Sequence, residues 1–80
     1  MGNTVAVKLN LTLQKYAPAG EGSAFALELD FPCAVADVLS RLGIPEQEPV
    51  LVTLNGRQVL ADASVQAGDS IKIFPLLAGG

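Results

Sequence analysis

The chain has 80 residues, half of them hydrophobic, and a formal net charge of −3; that length holds one domain, and the apolar content excludes disorder. Its five basic residues form no cluster, which leaves no footprint for a phosphate backbone and excludes nucleic acid as a partner. A single cysteine, no histidine, no secretory pattern and no apolar run near the roughly 18 residues of a membrane span exclude a disulfide framework, a zinc set and a membrane partner, with the cytoplasm as the default location.

Val5, Val7, Leu9, Leu11 and Leu13 alternate with Ala6, Lys8, Asn10 and Thr12, which predicts a strand over 5–13 with one buried face. Pro18, Gly20, Gly22 and Ser23 mark a loop over 14–24. Phe25, Leu27, Leu29 and Phe31 then resume the alternation, and the two strands should pair as an antiparallel hairpin. After Pro32 the period changes: Val35, Val38, Leu39 and Leu42 form one stripe of a short helix, with Gly43 at its C-terminal cap and Pro45 blocking continuation. Its start is weak, since Cys33 or Ala34 occupies the cap and only Asp37 favours the helix dipole.

A polar connector over 46–49 leads to strands over 50–54 and 57–60, which flank Asn55-Gly56, a strong type I′ hairpin signal. Residues 61–67 cross the fold, with room for a single helical turn, Gly68-Asp69 is a turn, and 70–74 is the closing strand. Pro75 lacks the N–H of a central ladder position, so the chain should leave the sheet there. This order on so small a chain predicts an α+β protein: a mixed four- to five-stranded sheet with one helix packed across it and the last strand parallel to the first. That is the β-grasp arrangement, over 1–75, followed by an arm over 76–80.

Little in the body of the chain points to chemistry. Gly20-Glu21-Gly22 lacks the spacing of a phosphate cradle, Glu28 and Asp30 read as a solvated edge, and no metal set is present. Cys33 stands near a helix N-terminus, where a thiol is activated, but a small apolar filler beside the helix is the commoner role. If the long apolar sets face the helix, Leu51 and Phe74 face the other way, among Lys8, Asn10, Thr12, Thr53 and Lys72. With Leu76 and Leu77 they either build an exposed apolar patch suited to protein binding, or the two leucines fold back over the domain edge. The acidic net charge suits a partner with a basic docking surface.

The stretch Leu76-Leu77-Ala78-Gly79-Gly80 is read as a mobile arm, because nothing after Leu77 is bulkier than a methyl group. Such an arm can enter a narrow cleft in another protein and have its terminal carboxyl modified. Chance or a flexible linker also places Gly-Gly at a chain end.

Several pieces together resemble a known family. They are the amphipathic first hairpin, Ala34-Val35-Ala36-Asp37-Val38-Leu39, Leu54-Asn55-Gly56-Arg57, Ala67-Gly68-Asp69-Ser70-Ile71 and the closing Phe74-Pro75-Leu76-Leu77-Ala78-Gly79-Gly80. In that order they resemble the ThiS/MoaD family of ubiquitin-like sulfur carrier proteins. Two positions depart from it: Ala34 where a capping Thr is common, and Leu76 where molybdopterin-type tails carry a second proline.

The resemblance implies a carrier or co-substrate, not a catalyst, with no bound cofactor. A ThiF/MoeB-like partner would use ATP to adenylate the Gly80 carboxylate, and a persulfide sulfur donor would replace AMP to leave a C-terminal thiocarboxylate (1-thioglycine). Gly79 supplies slimness beside Gly80, and Phe74, Leu76, Leu77, Leu51 and Ala78 would contact partners. The sulfur would pass to an acceptor synthase subunit building thiamine thiazole, molybdopterin or tungstopterin, or a related product. A ubiquitin-like protein modifier conjugated through Gly80 and a plain β-grasp interaction module remain as alternatives.

Overall fold

The computed structural model describes residues 3–76. In chain order it contains β1 (Thr4–Leu9), a 3-10 helix (Leu11–Tyr16), β2 (Ala24–Glu28), β3 (Cys33–Ala34) and α1 (Val35–Leu42), then β4 (Val50–Leu54), β5 (Arg57–Val59), β6 (Ser64–Val65) and β7 (Ser70–Pro75). Five strands form one sheet in the order β2-β1-β7-β4-β5, and β3 pairs with β6 in a separate two-stranded ribbon. β1 and β7 run parallel, and the other pairs are antiparallel. This is the β-grasp arrangement that the sequence predicts. No described helix is long and apolar enough to cross a membrane.

Alternation decides which face of the sheet the helix covers. Val5, Val7 and Leu9 of β1, Ile71 and Ile73 of β7 and Val52 of β4 all point inward, against Val35, Val38 and Leu42 of α1. Each such side chain contributes about 1.5–3 kcal/mol when buried, and no polar or charged residue among those described is buried with them.

The helix begins and ends as its local chemistry requires. Gly43 at φ +81° turns the chain out of α1, and Ile44 donates back to the Leu39 carbonyl at 3.0 Å while burying its own side chain. At the other end no side chain caps the first turn; instead the N–H groups of Val35 and Ala36 donate to the carbonyls of Ala63 and Ala61, each at 2.9 Å. Asp37 Oδ2 accepts the Ala34 N–H at 2.9 Å. Backbone from a distant segment thus satisfies donors that a capping Ser or Thr would otherwise serve.

That segment corrects one expectation. Residues 61–67 form no helix: a turn closed by the Ala63 N–H on the Leu60 carbonyl at 3.1 Å leads into β6, which runs extended and pairs Ser64 with Ala34 and Val65 with Cys33, beside the start of α1. The first strand also stops earlier than expected, at Leu9 rather than Leu13. Asn10 donates to the Ile73 carbonyl through both its backbone N (3.0 Å) and Nδ2 (3.1 Å), and Leu11 then turns at φ +53° into the 3-10 helix. Leu13 still reaches the core, whereas Leu11 is 69% exposed and Thr12 leaves the sheet face assigned to it. Positive φ costs a bulky residue about 1–2 kcal/mol, which the doubled Asn10 anchor offsets. The second strand likewise ends at Glu28, not Phe31, although Leu29 and Phe31 still pack against the core.

Two turns that look unrelated in sequence are clasped together. Asn55 Nδ2 donates to Asp69 Oδ1 at 3.1 Å, Asn55 Oδ1 accepts the Ser70 N–H at 2.9 Å, and Asp69 Oδ2 accepts the Gln66 N–H at 2.8 Å. Asn55 also holds φ +52°, which a short amide side chain tolerates. Asn55→Ala is expected to lower unfolding free energy by about 1–2 kcal/mol in chemical denaturation, from lost bonds plus backbone strain. Asn55→Gly relieves only the strain and should recover part of that loss; full recovery would show that the clasp contributes nothing.

Candidate functional site

The site is built by β7, the central strand of the sheet. Thr53 pairs with Lys72, Leu51 with Phe74 and Val50 with Pro75 across the β4 side, so pairing continues through the proline. Leu76 then donates its N–H to the Pro49 carbonyl at 3.0 Å, and Asn55 to the Ser70 carbonyl at 2.7 Å. Between those two bonds the alternation aims the N–H groups of Lys72 and Phe74 at β4, and the nitrogen of Pro75 toward the β1 side. β1 has already ended there, since its register with β7 stops at Leu9 opposite Ile73. Pro75 therefore stays in the sheet, contrary to the exit its sequence predicts, because no donor is needed at its position.

The side of the sheet away from α1 carries the apolar patch. Leu51 and Phe74 are half-buried cross-strand neighbours and are not among the residues packed into the core. Leu76 follows on the same face, 48% exposed. Leu60, 75% exposed, lies one residue beyond β5, whose pairing sets Val59 opposite Val52 and Gln58 opposite Thr53; continuing that register would set it opposite Leu51. Sequence reasoning placed Leu51, Phe74 and Leu76 here and missed Leu60, although a leucine one step past a hairpin strand and in phase with Leu51 was the available signal. Leu77, Ala78, Gly79 and Gly80, the remaining residues assigned to the site, lie outside the described residues.

Two hydrogen-bonded supports flank the place where β7 ends. On the β1 side stands the Asn10 anchor to Ile73. Tyr16 Oη donates to Glu48 Oε1 at 3.1 Å, which ties the 3-10 helix to the connector that leads into β4. Partial burial first, and then the hydrogen bond and charge of Glu48, push the Tyr16 pKa up. The rest of the structure gives little for catalysis. Cys33 packs against the core, as an apolar filler beside the helix would, and burial, and secondarily the charge of Asp37, raise the pKa of its thiol. Among the described residues no group of His, Cys, Asp or Glu is placed to hold a metal ion.

The fold and this outward patch define a ubiquitin-like β-grasp protein. The chain matches the family described as Mut7-C ubiquitin over residues 2–79, and it belongs to that family. No curated protein gives a match. Among solved structures, the HVO 2177 protein of Haloferax volcanii is 26% identical at TM-score 0.76, covering 96% of this chain and 86% of that one. A putative molybdopterin converting factor subunit 1 from Pyrococcus furiosus is 24% identical at TM-score 0.72, covering 92% and 98%. Small archaeal modifier protein 1 of H. volcanii is 21% identical at TM-score 0.74, covering 95% and 100%. The resemblance to ThiS/MoaD-type ubiquitin-like proteins read from the sequence is borne out.

The two raised pKa values give two expectations. The protonated Tyr16 is favoured by folding, so its contribution is present below the unfolded tyrosine pKa of about 10 and is lost as pH rises through the higher folded value. Tyr16→Phe should lower Tm near neutrality, and the gap to the wild type should narrow above about pH 10; a constant gap would contradict this. Alkylation of Cys33 by iodoacetamide should show a pH midpoint above that of a free thiol. Asp37→Asn should bring it down only in part, because burial is the larger cause.

Proposed function

We propose that this chain is a sulfur carrier acting through the carboxylate of Gly80. The observation that supports this reading most is the run of β7, which brings Leu76 through a central sheet position to the rim of an exposed apolar patch. The residues that follow, Leu77-Ala78-Gly79-Gly80, have the slimness that entry into a partner's cleft requires.

The chemistry follows from the weakness of a carboxylate as an electrophile. A ThiF/MoeB-like adenylating enzyme would join the Gly80 carboxylate to AMP from ATP, with pyrophosphate leaving. A persulfide donor's terminal sulfur then attacks the acyl carbon and expels AMP, forming an acyl disulfide. A second thiol attacks the donor's sulfur, and the S–S bond breaks to give a thiocarboxylate on Gly80 and a disulfide on the donor side. The chain acts as co-substrate, and the partners supply the catalytic groups. An acceptor synthase subunit would take the sulfur into thiamine thiazole, a pterin dithiolene or a related product. The similarity to a molybdopterin converting factor named as subunit 1 supports a role beside another subunit. Similarity to a small archaeal modifier protein supports a second reading, in which the same activated carboxyl forms isopeptide bonds with lysines.

Incubated with its adenylating enzyme, ATP and a persulfide donor, the chain should gain the mass of an oxygen-to-sulfur exchange. Deletion of Gly80 should leave the fold intact and abolish activation. Activation of the shortened chain would refute the role of Gly80, and higher-mass adducts on other proteins would favour the modifier.

A further inference from the structure

The charge on the patch face is opposite to that of the molecule as a whole. The net charge is −3, yet Lys8 and Lys72 are both exposed and stand directly beside each other in the parallel register of β1 and β7. Their neighbours along the same row are Ala24 on β2 and Thr53 on β4. One row toward the start of β1 come Ala26, Ala6 and Ser70; one row the other way come Asn10, Phe74 and Leu51. None of these carries a carboxylate. Glu28, on the same face, is four residues from Ala24 along β2 and so about 13 Å away, beyond a Debye length at physiological salt.

Two like charges set side by side weaken a sheet unless something outside compensates them. The apolar row of Phe74, Leu51 and Leu60 adjoins the lysine row, one pleat away. A surface that covered the leucines would also cover the lysines, and desolvated ammonium groups need carboxylate partners.

We propose that this face docks a partner whose contact surface is acidic, with the apolar row as the anchor and Lys8 and Lys72 as the pair that sets partner choice and approach rate. This rests on the sulfur-carrier reading only in naming the adenylating enzyme as the occupant. The local field, not the net charge, governs the encounter, so the basic docking surface suggested by composition is replaced by an acidic one.

The test has two arms. In the first, the adenylating enzyme is isolated from the source cell by ATP–pyrophosphate exchange that depends on this chain, and KM for the chain is measured. Lys8→Glu/Lys72→Glu should raise KM roughly tenfold or more at about 50 mM salt with kcat unchanged, and the difference should shrink toward about 500 mM. Lys8→Arg/Lys72→Arg should restore the wild-type KM. An unchanged or lower KM in the Glu variant overturns the proposal. Should the Glu variant not fold, Lys8→Gln/Lys72→Gln carries the same measurement with a smaller rise.

In the second arm, the ¹⁵N-labelled chain is titrated with a leucine–glutamate peptide and with its leucine–lysine counterpart. Amide shifts confined to Lys8, Leu51, Leu60, Lys72 and Phe74 with the acidic peptide alone support the proposal. Equal shifts with the basic peptide, or none with the acidic one, overturn it. This arm needs no adenylation, so failure of the carrier reading and failure of the acidic-partner inference are told apart.

Discussion

The structure depends on one pairing, the parallel register that sets β7 beside β1, from Ala6 opposite Ser70 to Leu9 opposite Ile73. Without β7 the five-stranded sheet falls into two separate antiparallel units, β1 with β2 and β4 with β5. The last strand joins them, and its Ile71 and Ile73 complete the buried layer under α1. Because the pairing spans more than sixty positions of sequence, it is costly to close and rewards the chain only when nearly all of it is present. The same pairing sets the position of β7 in the sheet. β7 is held on both sides as far as Ile73, and beyond it Pro75 and Leu76 are held from the β4 side by Val50 and Pro49.

A central last strand gives the sheet two different jobs. On one face, alternate residues bury against α1 and close the core; on the other, Phe74, Leu51, Leu60 and Leu76 stay outward beside two lysines. A two-residue period makes these roles inseparable, since a slip of one residue in β7 would turn Ile71 and Ile73 to solvent and bury Lys72. Core stability therefore fixes the register of the outward face. The clasp of Asn55 and Asp69 and the bond from Tyr16 to Glu48 brace this arrangement at the two ends of β7.

Much of this was legible in the residues. Strict alternation in β1 and β2, the helical stripe of Val35, Val38, Leu39 and Leu42, and the Asn55-Gly56 turn each carry their own local signal, and the architecture follows from their order. What escaped were features set by distant backbone. Leu11 and Leu13 continue a strand pattern that Asn10 ends by bonding to Ile73, some sixty residues on. Residues 61–62 turn and 64–65 run extended, placing the carbonyls of Ala61 and Ala63 at the start of α1, and a segment in that role shows no periodicity of its own. Pro75 suggested an exit from the sheet because sequence alone does not show which neighbour its nitrogen faces. Leu60 was overlooked although the strand read over 57–60 contained it, because its face follows only from the cross-strand register with β4. Net charge suggests a basic partner surface, and the adjacency of Lys8 and Lys72 on which the acidic one is proposed is hidden in a sum over the chain.

The central claim is that this body presents a terminal glycine carboxylate to another protein's nucleotide chemistry. Intact mass of the protein purified from its own cell tests it most directly. The account predicts a species ending at Gly80 in which one terminal oxygen has been replaced by sulfur. A protein that continues past Gly80, with no species ending there, would contradict it.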